Sequence, residues 1–349
     1  MLEYLFDYGL FLAKAVTLVV AIGLVLGLIA NSIRHARSMS ADHLEVKNLN
    51  DEFKALSESI EQRLLTEAEI KARHKQEKKE QKQKEKAAKK GAPEKRPRTY
   101  VIDFDGDLRA SAVEHLRQEI SAVLQVASKT DEVLLRLESP GGMVHSYGLA
   151  ASQLRRLRDA EINLTVAIDK VAASGGYLMA CVADRIVAAP FAVIGSIGVV
   201  AQIPNFNRLL KSHNIDFEMH TAGEHKRTLT LFGENSDAAR EKFREELEET
   251  HQLFKQYVKD NRPSLDIDSV ATGEHWYGSR ALSLGLIDAI QTSDDYLLDA
   301  SKDRDLYALN YKIRQPITEK LAQRMESVRD SLPMARLWSE TNRQTWEKT

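Results

Sequence analysis

A chain of 349 residues with 49 basic and 51 acidic side chains carries a formal net charge of −2, and 43% of it is hydrophobic. Wholly disordered chains combine low hydrophobicity with high net charge, so that class is excluded. One cysteine, Cys181, excludes a disulfide scaffold, and 29% charged residues leave no room for a polytopic membrane protein. The length fits two units, or one large unit with appendages.

The first feature is an apolar run from Leu10 to Ala30 whose only charge is Lys14. Its 21 residues are long enough to cross a hydrocarbon core of roughly 30 Å as a helix. Glu3 and Asp7 precede it, and Leu28-Ile-Ala-Asn31 offers no clear cleavage site, so an uncleaved single-pass anchor is expected. Arg34, Arg37 and Lys47 follow the span, a bias that directs the bulk of the chain to the cytoplasm.

Residues 34–98 read as a helical stalk and a charged linker. Leu44, Leu49, Phe53, Leu56, Ile60 and Leu64 recur at helical spacing over 41–65. From Lys71 to Arg98 there are 13 Lys/Arg against four Glu, net +9, which leaves −11 for the rest of the chain. This run has no apolar period and reads as a solvated linker, with anionic headgroups as the alternative partner. It lacks the interleaved aromatics that stack on bases, so nucleic acid is not an expected partner.

From residue 99 to about 300 strands and helices alternate. Tyr100–Phe104, Glu132–Leu137, Leu164–Ile168 and Arg185–Ala189 read as strands. Ser111–Ala127, Tyr147–Asp159 and Gly175–Ala183 read as helices between them, which implies an α/β fold of parallel units. Phe191 to Ile203 is apolar, too short for a span, and expected in the core. Ala238–Asp260 is a long acidic helix whose Phe243, Leu247, Leu253, Phe254 and Tyr257 face packing or oligomerisation. Residues 301–349 form a C-terminal extension.

Two glycine-rich turns carry the chemistry. Ser139-Pro140-Gly141-Gly142 follows one strand and Ala173-Ser174-Gly175-Gly176-Tyr177 another. Ligands bind outside the carboxyl ends of parallel strands, and paired N–H groups there stabilise a developing oxyanion. Ser174 stands where a helix begins, near its positive end. A serine hydroxyl needs a base, and no histidine is near in sequence. A lysine serves if burial keeps it neutral. Lys226 lies in His220-Thr-Ala-Gly-Glu-His-Lys-Arg-Thr228, and Ser196, in Gly195-Ser-Ile-Gly198, is placed to orient such a lysine. Taken alone, each turn also fits a tight connection, Ser174 an N-cap, and Lys226 a surface lysine.

Residues 100–290 resemble the signal peptide peptidase A family of serine proteases, nearest its SohB-type membrane protease branch. The resemblance rests on Glu138-Ser-Pro-Gly-Gly142, Val171-Ala-Ala-Ser-Gly-Gly-Tyr177, Gly195-Ser-Ile-Gly-Val199, Thr221-Ala-Gly-Glu-His-Lys226 and Gly273-Glu-His-Trp-Tyr-Gly278 with Gly285-Leu-Ile-Asp288. The intervals of 22 residues from Ser174 to Ser196 and 52 from Ser174 to Lys226 are similar to the family's. It implies a ClpP/crotonase-like spiral of ββα units and a Ser–Lys dyad. Ser174 would be the nucleophile, Lys226 the base and Ser196 its orienting partner. Gly141 and Gly175 would supply the oxyanion hole, with Gly142 as the other candidate. It further implies peptide or unfolded-protein substrates, no cofactor or metal, and a homo-oligomer whose Ser and Lys can come from neighbouring subunits. It places the catalytic domain on the outer side of a bacterial inner membrane, opposite to the charge bias. The alternatives are a non-catalytic membrane-tethered scaffold of the same fold, and a crotonase-like acyl-CoA enzyme with Glu138 as its acid/base.

Among the remaining candidates, His220, His225, His251 and His275 lack zinc-site spacing. Asp103, Asp105 and Asp107 alternate as in a calcium loop, but Gly106 is out of place for one, and a strand end is expected. Cys181 reads as a small core residue. Trp338 and Trp346 fall in the tail.

Overall fold

The computed structural model describes residues 14, 17, 42–66, most of 68–82, 96–223 and 226–313. All of the expected anchor at 10–30 but Lys14 and Thr17, much of the Lys-rich linker, and residues 314–349 of the expected extension, with Trp338 and Trp346, lie outside the described residues, whereas Asp305–Lys312 of that extension is a strand of the main sheet. Among the described residues no helix is long and apolar enough to cross a membrane. The unit Leu44–Tyr311 carries the fold.

The fold is mixed α/β around a seven-stranded sheet of order β1-β10-β2-β3-β4-β6-β9. Its strands are β1 (His43–Asn48), β2 (Arg98–Asp105), β3 (Glu132–Glu138), β4 (Asn163–Ile168), β6 (Arg185–Ala188), β9 (Ala289–Ile290) and β10 (Asp305–Lys312). Pairing from β10 through to β9 is parallel. β3 reads Val133-Leu-Leu135 in succession because both faces of a parallel sheet are covered. A smaller sheet joins β5 (Val171–Ala173), β7 (Val193–Gly195) and β8 (His275–Tyr277), with β5–β7 parallel and β7–β8 antiparallel.

One face of the large sheet takes α2 (Val113–Val126) and α3 (Val144–Asp159). Leu116, Ile120 and Val123 of α2, with Leu154 and Leu157 of α3, close on Ile102, Leu135 and Val166. Apolar residues three and four apart give each helix one stripe for this purpose. The other face is Val101, Leu134, Ala167 and Val187. It is covered by Leu297 of α9 (Ser293–Ala300) and by Leu49 and Phe53 of α1 (Leu49–Leu64). α4 (Gly175–Ala180) is wholly buried, and Cys181 beside it is a core residue as expected, its thiol pushed up to about 12 by burial.

Two expectations are corrected. Residues 41–65 are not one helical stalk: 43–48 form β1, next to β10, and only 49–64 are helical. Asn50 fastens this segment, donating to the Ser301 and Arg304 carbonyls at 3.3 and 3.1 Å and accepting the Leu306 N–H at 2.7 Å. The stretch 191–203 is not uniformly core. Ala192, Ile194 and Ile197 are buried through the small sheet, but Phe191 and Val200 are 84% and 80% exposed. Beyond Gly198 the chain leaves the core as an arm over 199–235, folded back where Phe206 N–H donates to the Leu231 carbonyl at 2.7 Å. It carries exposed Phe206, Leu209, Ile215 and Phe217, then leads into α6 (Asp237–Asn261).

Candidate active site

The two glycine turns meet because β3 runs on into the small sheet. Ser139 N–H donates to the Val171 carbonyl at 2.8 Å, and Ala173 N–H donates to the Ser139 carbonyl at 3.0 Å. This puts Gly141 against the second turn. A Cβ on Gly141 would stand 2.7 Å from Ser174 Cβ and 2.8 Å from Gly175 N, and its φ of +93° also demands glycine.

Ser174 occupies the corner between β5 and α4 at φ +51°, ψ −117°. An L-residue there costs about 1–3 kcal/mol and persists only where its surroundings over-determine it. Here Ser174 N–H donates to the Gly195 carbonyl at 2.8 Å and its carbonyl accepts from Leu178 N–H at 2.9 Å. Its side chain makes no capping bond, so the hydroxyl is not spent on the helix. Ser196 has a similar φ of +52°. Its N–H donates to the Glu274 carbonyl at 2.6 Å. Ala173 and Gly195 are partners in the parallel register of β5 and β7, so the serines that follow them stand side by side.

Ser174, Ser196, Gly141, Gly142 and Gly175 line one cavity of about 930 Å³. Its walls are Leu108, Val144 and Leu178, together with Thr250, His251, Phe254 and Tyr257 from α6. An apolar cleft with a few convergent polar groups is the usual form of a substrate site. The two turns differ in their free donors. Gly141 N–H donates to Ser139 Oγ at 3.1 Å. The N–H groups of Gly142 and Gly175 have no partner among the described residues.

Lys226 is not brought to Ser174 within the chain. It lies on the arm, exposed and absent from the cavity wall, its N–H donating to the Gly223 carbonyl at 3.2 Å. Glu138 is also elsewhere: it pairs with Lys170 at 2.8 Å in a separate groove with Asp103 and Arg136. Among the described residues no carboxylate lines the cavity at the glycine turns, where the acyl-CoA alternative requires one. Asp103 pairs with Arg136 in a groove that Asp105 also lines, while Asp107 accepts from the N–H groups of Arg109 and Ser111 at 3.0 and 2.8 Å, and among the described residues no three such side chains are grouped to hold a metal ion.

Sequence reasoning misses two groups. Tyr147, fully buried between the turns, reads in the sequence only as the start of a helix. The α6 wall reads as packing or oligomerisation; its Phe254–Tyr257 side is visible there, but its position over Ser174 is not. His251 Nε2 in that wall is buried without a hydrogen-bond partner among the described residues.

Comparison with known proteins gives the family. The description "Peptidase family S49 N-terminal" matches residues 3–154 and "Peptidase family S49" matches residues 156–307. The chain is 53% identical over 331 residues to a probable protease SohB of Haemophilus influenzae, covering 93% of this chain and 94% of that one. It is 50% identical over 319 residues to a probable protease SohB of Buchnera aphidicola from Acyrthosiphon pisum, covering 91% and 93%. A solved 1510-N membrane-bound stomatin-specific protease, in a point-mutant form, aligns over 58% of this chain and 84% of its own at 14% identity. Its TM-score of 0.39 is too low to bear on fold or activity. With both halves matched and relatives at half identity over nearly the full length, the chain belongs to peptidase family S49, a family of proteases.

Proposed function

We propose that the chain is a serine endopeptidase that hydrolyses peptides or unfolded polypeptides through an acyl-enzyme on Ser174. The observation that carries this reading is the strained Ser174, its hydroxyl uncommitted, in a cavity shared with Ser196 and both glycine turns. Ser174 Oγ forms a bond to the scissile carbonyl carbon while its proton passes to Lys226. The C–N bond then breaks, and Lys226 returns the proton to the leaving amine. Water hydrolyses the ester by the same path. Ser196 orients the lysine. The N–H groups of Gly142 and Gly175 hold the oxyanion, in preference to Gly141, whose N–H is engaged by Ser139.

Lys226 reaches Ser174 from a neighbouring copy. This is supported by its exposed position on an arm that also exposes Phe206, Leu209, Ile215 and Phe217, apolar side chains that a homo-oligomer would cover. The sequence of paired strands then helix supports a ClpP/crotonase-like spiral. β3 with the Ser139–Ala172 bridge precedes α3, β4 with β5 precedes α4, and β6 with β7 follows. Residues 10–30 anchor the protease to a bilayer.

The test is cleavage of a fluorescent casein by the full chain in detergent, beside Ser174→Ala and Lys226→Ala variants of matched assembly. Loss of cleavage in both supports the dyad. Equal cleavage in all three overturns it. An assembled parent that cleaves nothing favours the scaffold.

A further inference from the structure

Tyr147 touches both glycine turns, and this contact has a direction. Its phenol oxygen lies 2.8 Å from the Asp107 carbonyl and 2.6 Å from Ser139 Oγ. A carbonyl only accepts, so the single phenol proton points at Asp107. The Ser139 hydroxyl must then donate to the phenol oxygen, which leaves Ser139 Oγ to accept the Gly141 N–H at 3.1 Å. Four groups are thereby ordered in one chain: Gly141 N–H to Ser139, Ser139 to Tyr147, Tyr147 to Asp107. Tyr147 and Ser139 are both fully buried, so no water replaces a missing member without cost. Burial also raises the Tyr147 phenol, which keeps it protonated across the working range.

The ring does the second half. A Cβ on Gly175 would stand 2.4 Å from Tyr147 Cγ, so the ring lies directly under the Gly175 Cα. Gly106 leaves room for the chain from the other side, where a Cβ would meet Ser139 Oγ at 2.4 Å and Tyr147 Oη at 2.6 Å.

We propose that Tyr147 is a positioning residue for the oxyanion hole: its hydroxyl, through Ser139, fixes the Gly141 peptide and so the Gly142 N–H that follows it, while its ring fixes Gly175. This rests on the reading of Ser174 as nucleophile. Two donors aimed at one oxygen lose their effect when either shifts by a fraction of an ångström. Tyr147 itself does not touch the substrate's reacting atoms.

The test compares Tyr147→Phe, Ser139→Ala and the double variant with the parent, as full chains in detergent with fluorescent casein. Ser174→Ala is the blank. Tyr147→Phe keeps the ring and removes only the hydroxyl. The expected result is a fall in kcat of about tenfold or more with KM within about twofold, since only transition-state contacts are disturbed. The double variant should be no worse than the poorer single one, because both remove one chain. Ser139→Ala carries the test if Tyr147→Phe does not fold. Both single variants within about twofold of the parent in kcat, or losses that multiply in the double variant, would overturn the proposal. Cleavage by Ser174→Ala would instead overturn the nucleophile reading, whatever Tyr147→Phe does.

Discussion

Glu119 on α2 makes stability depend on pH in a way that one substitution exposes. It is 4% exposed. Oε1 accepts the Tyr311 N–H at 2.8 Å, while Oε2 is buried without a partner among the described residues. Burial pushes the carboxyl from 4.5 up to about 7; Tyr311 N–H opposes this and the nearby Asp103 charge adds to it. Between these two values the folded chain holds a proton that the unfolded chain has lost. Stability therefore falls as pH rises through this window, and is flat once both states are ionised. At about 1.4 kcal/mol per pH unit, the ionised carboxylate costs about 3 kcal/mol above pH 7. Glu119→Gln keeps an acceptor for Tyr311 and has no charge to bury. Urea unfolding of both proteins should give a stability difference that moves by roughly 2 to 3 kcal/mol in favour of Gln between about pH 5 and pH 8. A difference that is the same at both pH values would refute this reasoning, because it would make the effect one of packing.

Two further substitutions test the fold around the site. Ser174→Gly should abolish cleavage and yet raise stability by about 1 kcal/mol, since relief of the positive φ outweighs the added freedom of the unfolded chain; Ser174→Ala should leave stability nearly unchanged, and urea midpoints separate the two. Asn50→Ala removes three hydrogen bonds to residues 301–306 and orphans the Leu306 N–H, so it should cost about 2 kcal/mol. It should also open residues 43–64 to limited proteolysis before the rest of the unit.

The sequence exposed those parts of the fold whose signals are local. β2, β3, β4 and β6 announce themselves as short apolar runs bounded by charges or turns, and the helices between them as 3.6-residue stripes. The glycine turns were legible because each follows such a run. β1 was not, because His43-Leu-Glu-Val-Lys-Asn48 merges into the apolar spacing of the helix after it, and its neighbour β10 lies more than 250 residues away. The 191–203 stretch misled for a related reason: unbroken hydrophobicity has no period to tell a core strand from the apolar base of an exposed arm. At the site, Ser174, Ser196 and the three glycines converge as the motifs suggest. Lys226 does not line their cavity within one chain, and no pattern in the sequence reports that separation. Tyr147 escaped because its role depends on Asp107 and Ser139, forty and eight residues away, whose meeting is a property of the sheet.

Ser174 and Lys226 meeting across two copies is tested most directly by mixing variants. Full-length Ser174→Ala and Lys226→Ala chains are purified separately, each inactive alone, then dissociated together and reassembled at equal amounts. Random assembly pairs an intact Ser174 with an intact Lys226 at about a quarter of the interfaces, so casein cleavage should return to about a quarter of the parental rate. No recovery, from mixed oligomers verified to contain both chains, would contradict a site shared between subunits.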